Sequence, residues 1–93
     1  MKAARSDANQ KQIVEALRKI GCSVQSLHRC GDGVPDLLVG RNGFNLLLEV
    51  KTVHGALNAR QKRWHGEWHG DGVQIVHSPE TAVEIVLLAT TLF

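Results

Sequence analysis

The sequence predicts an α/β fold, a mixed central sheet flanked by helices in the order α-β-β-β-α-β-α. Three observations predict it. Two short apolar runs within Pro35–Lys51 are joined by Asn42-Gly43, the pair a tight hairpin prefers because both turn positions need φ > 0. Ahead of them, Ile13, Val14, Leu17 and Ile20 recur at helical spacing. Behind them, Asn58 with Gln61 three residues on, and Ser78 followed by Pro79, are helix starts.

In chain order, residues 1–5 are polar and basic and read as a frayed start. The first helix begins at Ser6 or Asp7, either of which can cap it, and Gly21 is placed to end it. Arg18 and Lys19 sit favourably in its last turn. Cys22 to Leu27 reads as a short strand, and 29–35 as a loop whose glycines let backbone approach a ligand or simply turn. The hairpin follows, and then a helix from Asn58 to about His69, stopped by Gly70-Asp71-Gly72. Trp64 and Trp68 lie one turn apart on this helix and are read as core anchors rather than base-stacking platforms. Residues 73–77 form a compact strand. The last helix buries Ala82, Val83, Ile85, Val86 and Leu87 or Leu88, then frays toward Phe93.

A chain of 93 residues has room for one domain, spanning 1–93. At that size only about 60–65% of the unfolded surface is buried, which makes oligomerisation attractive. The net charge of +2 is compatible with nucleic acid without being diagnostic of it. Its distribution says more. Lys2, Arg5, Lys11, Arg18 and Lys19 load the start, Arg60, Lys62 and Arg63 crowd the middle, and no basic residue follows Glu80. With two cysteines, no signal-peptide pattern and no membrane-length apolar run, a reduced intracellular setting is expected.

The chemistry concentrates on the hairpin. Alternation along its second strand puts Leu46, Leu48 and Val50 on one face and Leu47, Glu49 and Lys51 on the other. Asp36 stands where the first strand begins, so the hairpin can return Glu49 and Lys51 to its neighbourhood. Hard cations such as Mg²⁺ need only one or two carboxylates, with waters and phosphate oxygens completing the shell. Asp36 and Glu49 can supply them, with the Val50 carbonyl beside them. Lys51 can orient or deprotonate an attacking water, or offset charge on a phosphate. Two adjacent carboxylates without a cation repel, and that conflict with local folding rules marks a functional site. Glu15, in mid-helix, is either solvated or aimed at this hairpin.

Zinc is the rival metal, because the chain has five histidines and two cysteines. Cys22, His28 and Cys30 lack a paired C-x2-C spacing, and His65 and His69 with Glu67 between them are not an HExxH motif. The histidines of the second helix are read as partly exposed surface, and His28 and Arg29 as candidate phosphate contacts.

Pro35-Asp36, twelve residues, then Glu49-Val50-Lys51 resembles the PD-(D/E)xK nuclease signature. With Asp7-Ala8-Asn9-Gln10, Ile13-Val14, Leu17-Arg18, Gly21, Gly33-Val34-Pro35-Asp36-Leu37-Leu38-Val39-Gly40, Leu48-Glu49-Val50-Lys51 and Gln61 followed by Trp64, the sequence resembles the stand-alone virus-type replication-repair nuclease (VRR-NUC) domain of phages, over roughly residues 6–87. The resemblance implies a minimal restriction-endonuclease-like fold and Mg²⁺- or Mn²⁺-dependent cleavage of DNA, with branched DNA such as a four-way junction as substrate and a homodimer as the working unit. It implies Asp36 and Glu49 as metal ligands, Val50 as a backbone ligand, Lys51 as the catalytic lysine and Gln61 as a support from the following helix. From the first helix, Glu15 is the candidate metal ligand, with Asn9 or Gln12 as alternatives facing the site. Asn9, Arg29, Arg60, Lys62 and Arg63 are the candidate DNA contacts. No membrane partner and no small-molecule cofactor are expected, and the setting for a phage protein is the bacterial host cytoplasm. The competing reading is a non-catalytic DNA-binding accessory module; it leaves Asp36 and Glu49 unexplained, since bare carboxylates repel phosphate. A purely structural phage protein explains them no better.

Overall fold

The computed structural model describes residues 2–91. Helix α1 spans Lys2–Lys19, and strand β1 (Ser23–Ser26) follows. After a 3₁₀ turn at His28–Cys30 come the hairpin strands β2 (Leu37–Arg41) and β3 (Phe44–Val50). Helix α2 (Ala59–Glu67), strand β4 (Gln74–Val76) and helix α3 (Pro79–Ala89) complete the order expected from the sequence. The sheet order is β1-β2-β3-β4, antiparallel through β3, with β4 parallel to β3. No helix among the described residues is long and apolar enough to cross a membrane.

α1 stops as its sequence dictates. Gly21 takes φ +90°, the Cys22 N–H reaches the Leu17 carbonyl at 3.1 Å, and the Gly21 N–H reaches that of Arg18 at 3.1 Å. This is the paired bonding of a Schellman ending. Its start differs from expectation. The helix already runs from Lys2, so Ser6 and Asp7 lie inside it rather than at its N-terminus. Fraying toward Phe93 falls outside the described residues.

The hairpin turns at Asn42 (φ 52°) and Gly43 (φ 82°), both in the left-handed region as a two-residue turn requires. Its tip is tied to the end of α3. Arg41 Nη1 donates to Thr90 Oγ1 and Asn42 Nδ2 to the Thr90 carbonyl, each at 2.9 Å. Register pairs Leu37 with Leu48 and Val39 with Leu46. Those four side chains share the face that meets α1 and α3, and with Ile13, Leu17, Cys22, Val76, Ala82 and Val86 they form the core. Of the apolar residues assigned to α3's buried side, Val83 and Ile85 are partly buried, while Leu88 is 72% exposed.

The other face of the sheet turns toward α2. This helix is shorter than expected, ending at Glu67 with Trp68 as its C-cap, and none of its residues is fully buried. Trp64 and Trp68 do share a face and stack at 4.6 Å between ring centroids. They are not core anchors. Trp68 is 48% exposed, and the pair borders a groove of about 390 Å³ with Leu27, Val34, Leu38 and Leu47. Helix periodicity places both indoles on one side, but a helix of nine residues leaves this face of the sheet only partly covered.

Candidate active site

Asp36 ends the loop that enters β2, directly after the buried Pro35. Its carbonyl accepts from the Leu27 N–H at 2.9 Å, and its Oδ2 accepts from the Val50 N–H at 2.7 Å. The side chain therefore bridges back to the end of β3. The N–H and C=O of a strand residue leave on the same side, so the Val50 carbonyl also faces Asp36.

Glu49 alternates with Leu48 and so points away from the apolar core, yet it is only 1% exposed. α2 covers it. Asn58 caps that helix in a reciprocal box: Asn58 Oδ1 accepts from the Gln61 N–H, and Gln61 Oε1 accepts from the Asn58 N–H, both at 2.9 Å. The other end of the same Gln61 amide, Nε2, donates to Glu49 Oε2 at 3.2 Å. One turn further, His65 Nε2 lies 3.3 Å from Glu49 Oε1. Gly33 sets how closely the entry loop meets this helix. At φ +82°, a Cβ on it would stand 2.4 Å from the Arg60 carbonyl oxygen and 2.9 Å from the Gln61 nitrogen. This glycine lies in a turn, one of the two readings the sequence offered, closed by the Val34 N–H on the Gly31 carbonyl at 3.1 Å, and there it approaches backbone of its own chain.

Burial, a hydrogen bond with the Asp36 side chain and the Asp36 charge push the Glu49 carboxyl up from 4.5 to about 8, against the pull of Lys51. Glu49 thus holds its proton at neutral pH when no cation is present. Burial and the Lys51 charge lower the His65 pKa, opposed by Asp36. The His65–Glu49 contact is therefore a hydrogen bond with neutral imidazole at pH 7 rather than an ion pair. These mutual influences put Asp36, Glu49, Lys51 and His65 in one electrostatic cluster. Lys51 is further held through its backbone, its N–H on the Val76 carbonyl at 3.0 Å and its carbonyl accepting from His77 Nδ1 at 2.9 Å.

The structure brings together Asp36, Glu49, Val50, Lys51 and Gln61 as the sequence suggested. Asn9 reaches the same region indirectly, Nδ2 donating to the His77 carbonyl at 3.2 Å. Gln12 and Glu15 are exposed on α1, and no hydrogen bond or ion pair among the described residues ties Glu15 to the carboxylates. Arg29 is exposed on the 3₁₀ turn, and Arg60, Lys62 and Arg63 are exposed on α2. Arg60 and Arg63 line a second cleft with Asp32, Trp64 and Glu67. Sequence reasoning missed His65 as a site residue, although its place four residues after Gln61 puts both on one helical face.

No family model and no curated protein matches the chain by sequence. A solved structure described as a VRR_NUC domain is similar, with a TM-score of 0.73 and 27% identity, covering 87% of this chain and 92% of that one. The match supports a VRR-NUC domain. It supports a nuclease domain as well. Asp36, directly before β2, and Glu49, on β3, stand at the two central strands of the sheet, and the helix that carries Gln61 reaches Glu49 by a side-chain hydrogen bond. As a cation site its donor set is lean. Among the described residues no cluster of three or more His, Cys, Asp and Glu is arranged to hold a metal ion. Two carboxylates and a carbonyl fit a Mg²⁺- or Mn²⁺-type ion that keeps several waters. Burial first, and then the neighbouring Asp36, raise Glu49 to about 8, and a cation would relieve the repulsion between the two carboxylates.

Proposed function

We propose that this nuclease domain is a Mg²⁺- or Mn²⁺-dependent DNA endonuclease selective for branched structures, acting as a homodimer in the manner of a Holliday-junction resolvase. The observation that carries the reading is the pairing of half-buried Asp36 with buried Glu49 beside Lys51, on a fold similar to a VRR_NUC domain. Asp36, Glu49 and the Val50 carbonyl hold the cation, and Gln61 orients Glu49. A divalent ion bound there would supply a nucleophile from water at neutral pH and would polarise the phosphoryl oxygen. Lys51 places its ammonium at the same cluster, where it orients the attacking water and offsets charge developing on the phosphate. Asn9, Arg29, Arg60, Lys62 and Arg63 are the proposed contacts to the DNA backbone, and exposed guanidinium and ammonium groups suit phosphate. The host cytoplasm is the proposed setting.

The two-fold dimer is supported by the small core and by the half-open apolar groove, and it would place two sites on opposed strands of a junction. Sedimentation at micromolar concentration that returns only monomer removes paired incision. The activity test is incubation with labelled four-way junction, fork, flap and linear duplex DNA, with and without Mn²⁺, beside Lys51→Ala. Metal-dependent incision of branched substrates, lost in Lys51→Ala, is expected. Binding that ignores metal and yields no incision would replace the enzyme with an accessory DNA-binding module.

A further inference from the structure

We propose that His65 is a positioning residue for Glu49 and, through it, for the divalent cation, a reading that rests on Asp36 and Glu49 being the cation ligands. The terminal torsion of a glutamate is broad, so one donor on one oxygen leaves the carboxylate plane free to turn. Here each oxygen has its own partner from α2: Gln61 Nε2 at 3.2 Å from Oε2 and His65 Nε2 at 3.3 Å from Oε1. The two partners sit four residues apart on one helical face. The first is itself locked, because Gln61 Oε1 closes the capping box on Asn58.

A carboxylate that binds metal must be ionised, and it then takes the imidazole as an Nε2–H donor. It offers about four lone-pair sites, so two donors leave one on each oxygen, in a plane that is fixed. Asp36 is oriented separately, by the Val50 N–H at 2.7 Å. Each proposed carboxylate ligand thus has its own orienting groups, and His65 is the group whose loss frees the ionised Glu49 to turn. Groups that orient a ligand typically change metal affinity by about 10–100-fold.

Two substitutions separate positioning from packing. In His65→Gln the amide nitrogen stands near the place of Nε2; in His65→Asn the same group is one methylene short of Oε1. Mn²⁺ binding, measured by calorimetry and by the Mn²⁺ paramagnetic resonance signal, is expected to weaken about 10–100-fold in His65→Asn and His65→Ala and to stay near the unmutated level in His65→Gln. Thermal unfolding without metal reports any packing effect separately, and if His65→Ala does not fold, the Asn/Gln pair decides. Mn²⁺ affinity in His65→Asn equal to that of the unmutated protein overturns the proposal. So does equal weakening in the Asn and Gln variants, which would mean the imidazole itself is required. No Mn²⁺ binding by the unmutated protein is a different failure, of the cation reading, and the proposal falls with it.

Discussion

Gly33 is where the fold and the site can be separated by a single methyl group. Gly33→Ala adds a Cβ at φ +82°, 2.4 Å from the Arg60 carbonyl oxygen and 2.5 Å from its carbon. Gly43→Ala adds one at the same φ of +82° with nothing within 4 Å. The backbone strain of an L-residue in the left-handed region, about 1–2 kcal/mol, is therefore common to both. Only Gly33→Ala has the collision, and its partner is helix backbone, which cannot rotate aside as a flexible side chain would. Relief requires α2 to retreat by several tenths of an ångström, and forced overpacking of that kind costs about 1–3 kcal/mol more. For a domain of this size about 1 kcal/mol lowers Tm by roughly 4–8 °C, so Gly33→Ala should melt roughly 4–24 °C below Gly43→Ala in parallel calorimetric scans. Because the retreating helix carries Gln61 and His65, folded Gly33→Ala should also lose incision, by up to roughly 100-fold for a displacement near 1 Å, while Gly43→Ala keeps it. Equal Tm values for the two variants would refute the claim that this glycine sets the seating of α2.

The other expectations concern the carboxylates. Glu49 has its pKa raised from 4.5 to about 8, so the folded state holds a proton that the unfolded state releases. Its contribution to stability is present in full below 4.5 and is lost as pH rises through 8, whereas His65, whose pKa is lowered from 6.5, contributes above 6.5 and loses that contribution below it. Between pH 6.5 and 8 the Glu49 effect stands clear: chelator-treated protein should lose stability, at most about 1.4 kcal/mol per pH unit, and Mn²⁺ should restore it. A flat urea midpoint across that window without metal would count against the buried, protonated Glu49. Asp36→Ala strips the Val50 N–H of its acceptor and should destabilise by about 1–3 kcal/mol, while Asp36→Asn keeps an acceptor oxygen, folds nearly as well and loses metal-dependent incision. Identical melting of these two variants would show that the Asp36–Val50 bond holds nothing in place.

Local signals carried most of this fold into the sequence. Asn42-Gly43 specified the hairpin because no other pair so readily takes two left-handed positions, and the register it fixed decided which face Glu49 would occupy. Asn58 with Gln61, and Ser78 with Pro79, marked their helices because capping is a matter of three or four residues. What escaped was non-local. Nothing near Gly33 in the sequence says that the Arg60 carbonyl will lie against it, nor near Thr90 that Arg41 and Asn42 will bond to it. His65 was hidden differently. Its helical offset from Gln61 was visible, but a histidine on a short polar helix reads as surface until a buried carboxylate is known to stand opposite. The indoles misled for the complementary reason, since large apolar side chains on one face suggest a core and only the finished packing shows a half-open groove.

That groove bears on what holds α2 in place. The helix has nine residues and none fully buried, so apolar burial, which seats α1 and α3 through Ile13, Leu17, Ala82 and Val86, contributes little to it. Its attachments are the Asn58–Gln61 box, the close contact with Gly33, the Trp64–Trp68 stack over the groove and the two bonds to Glu49. Polar bonds of this type contribute about 1 kcal/mol each, more when the acceptor is charged. α2 should therefore open well below the global unfolding free energy, exchanging its backbone amides faster than the central turns of α1 and α3. Glu49→Ala removes both polar anchors and should accelerate exchange in 63–67 while leaving α1 near the unmutated rate; Mn²⁺ should slow it in the unmutated protein only. Exchange in α2 as slow as in α1, or unaltered by Glu49→Ala, would mean that the helix is held by its indoles. Glu49 would then be a passenger beneath the helix rather than part of what keeps it there.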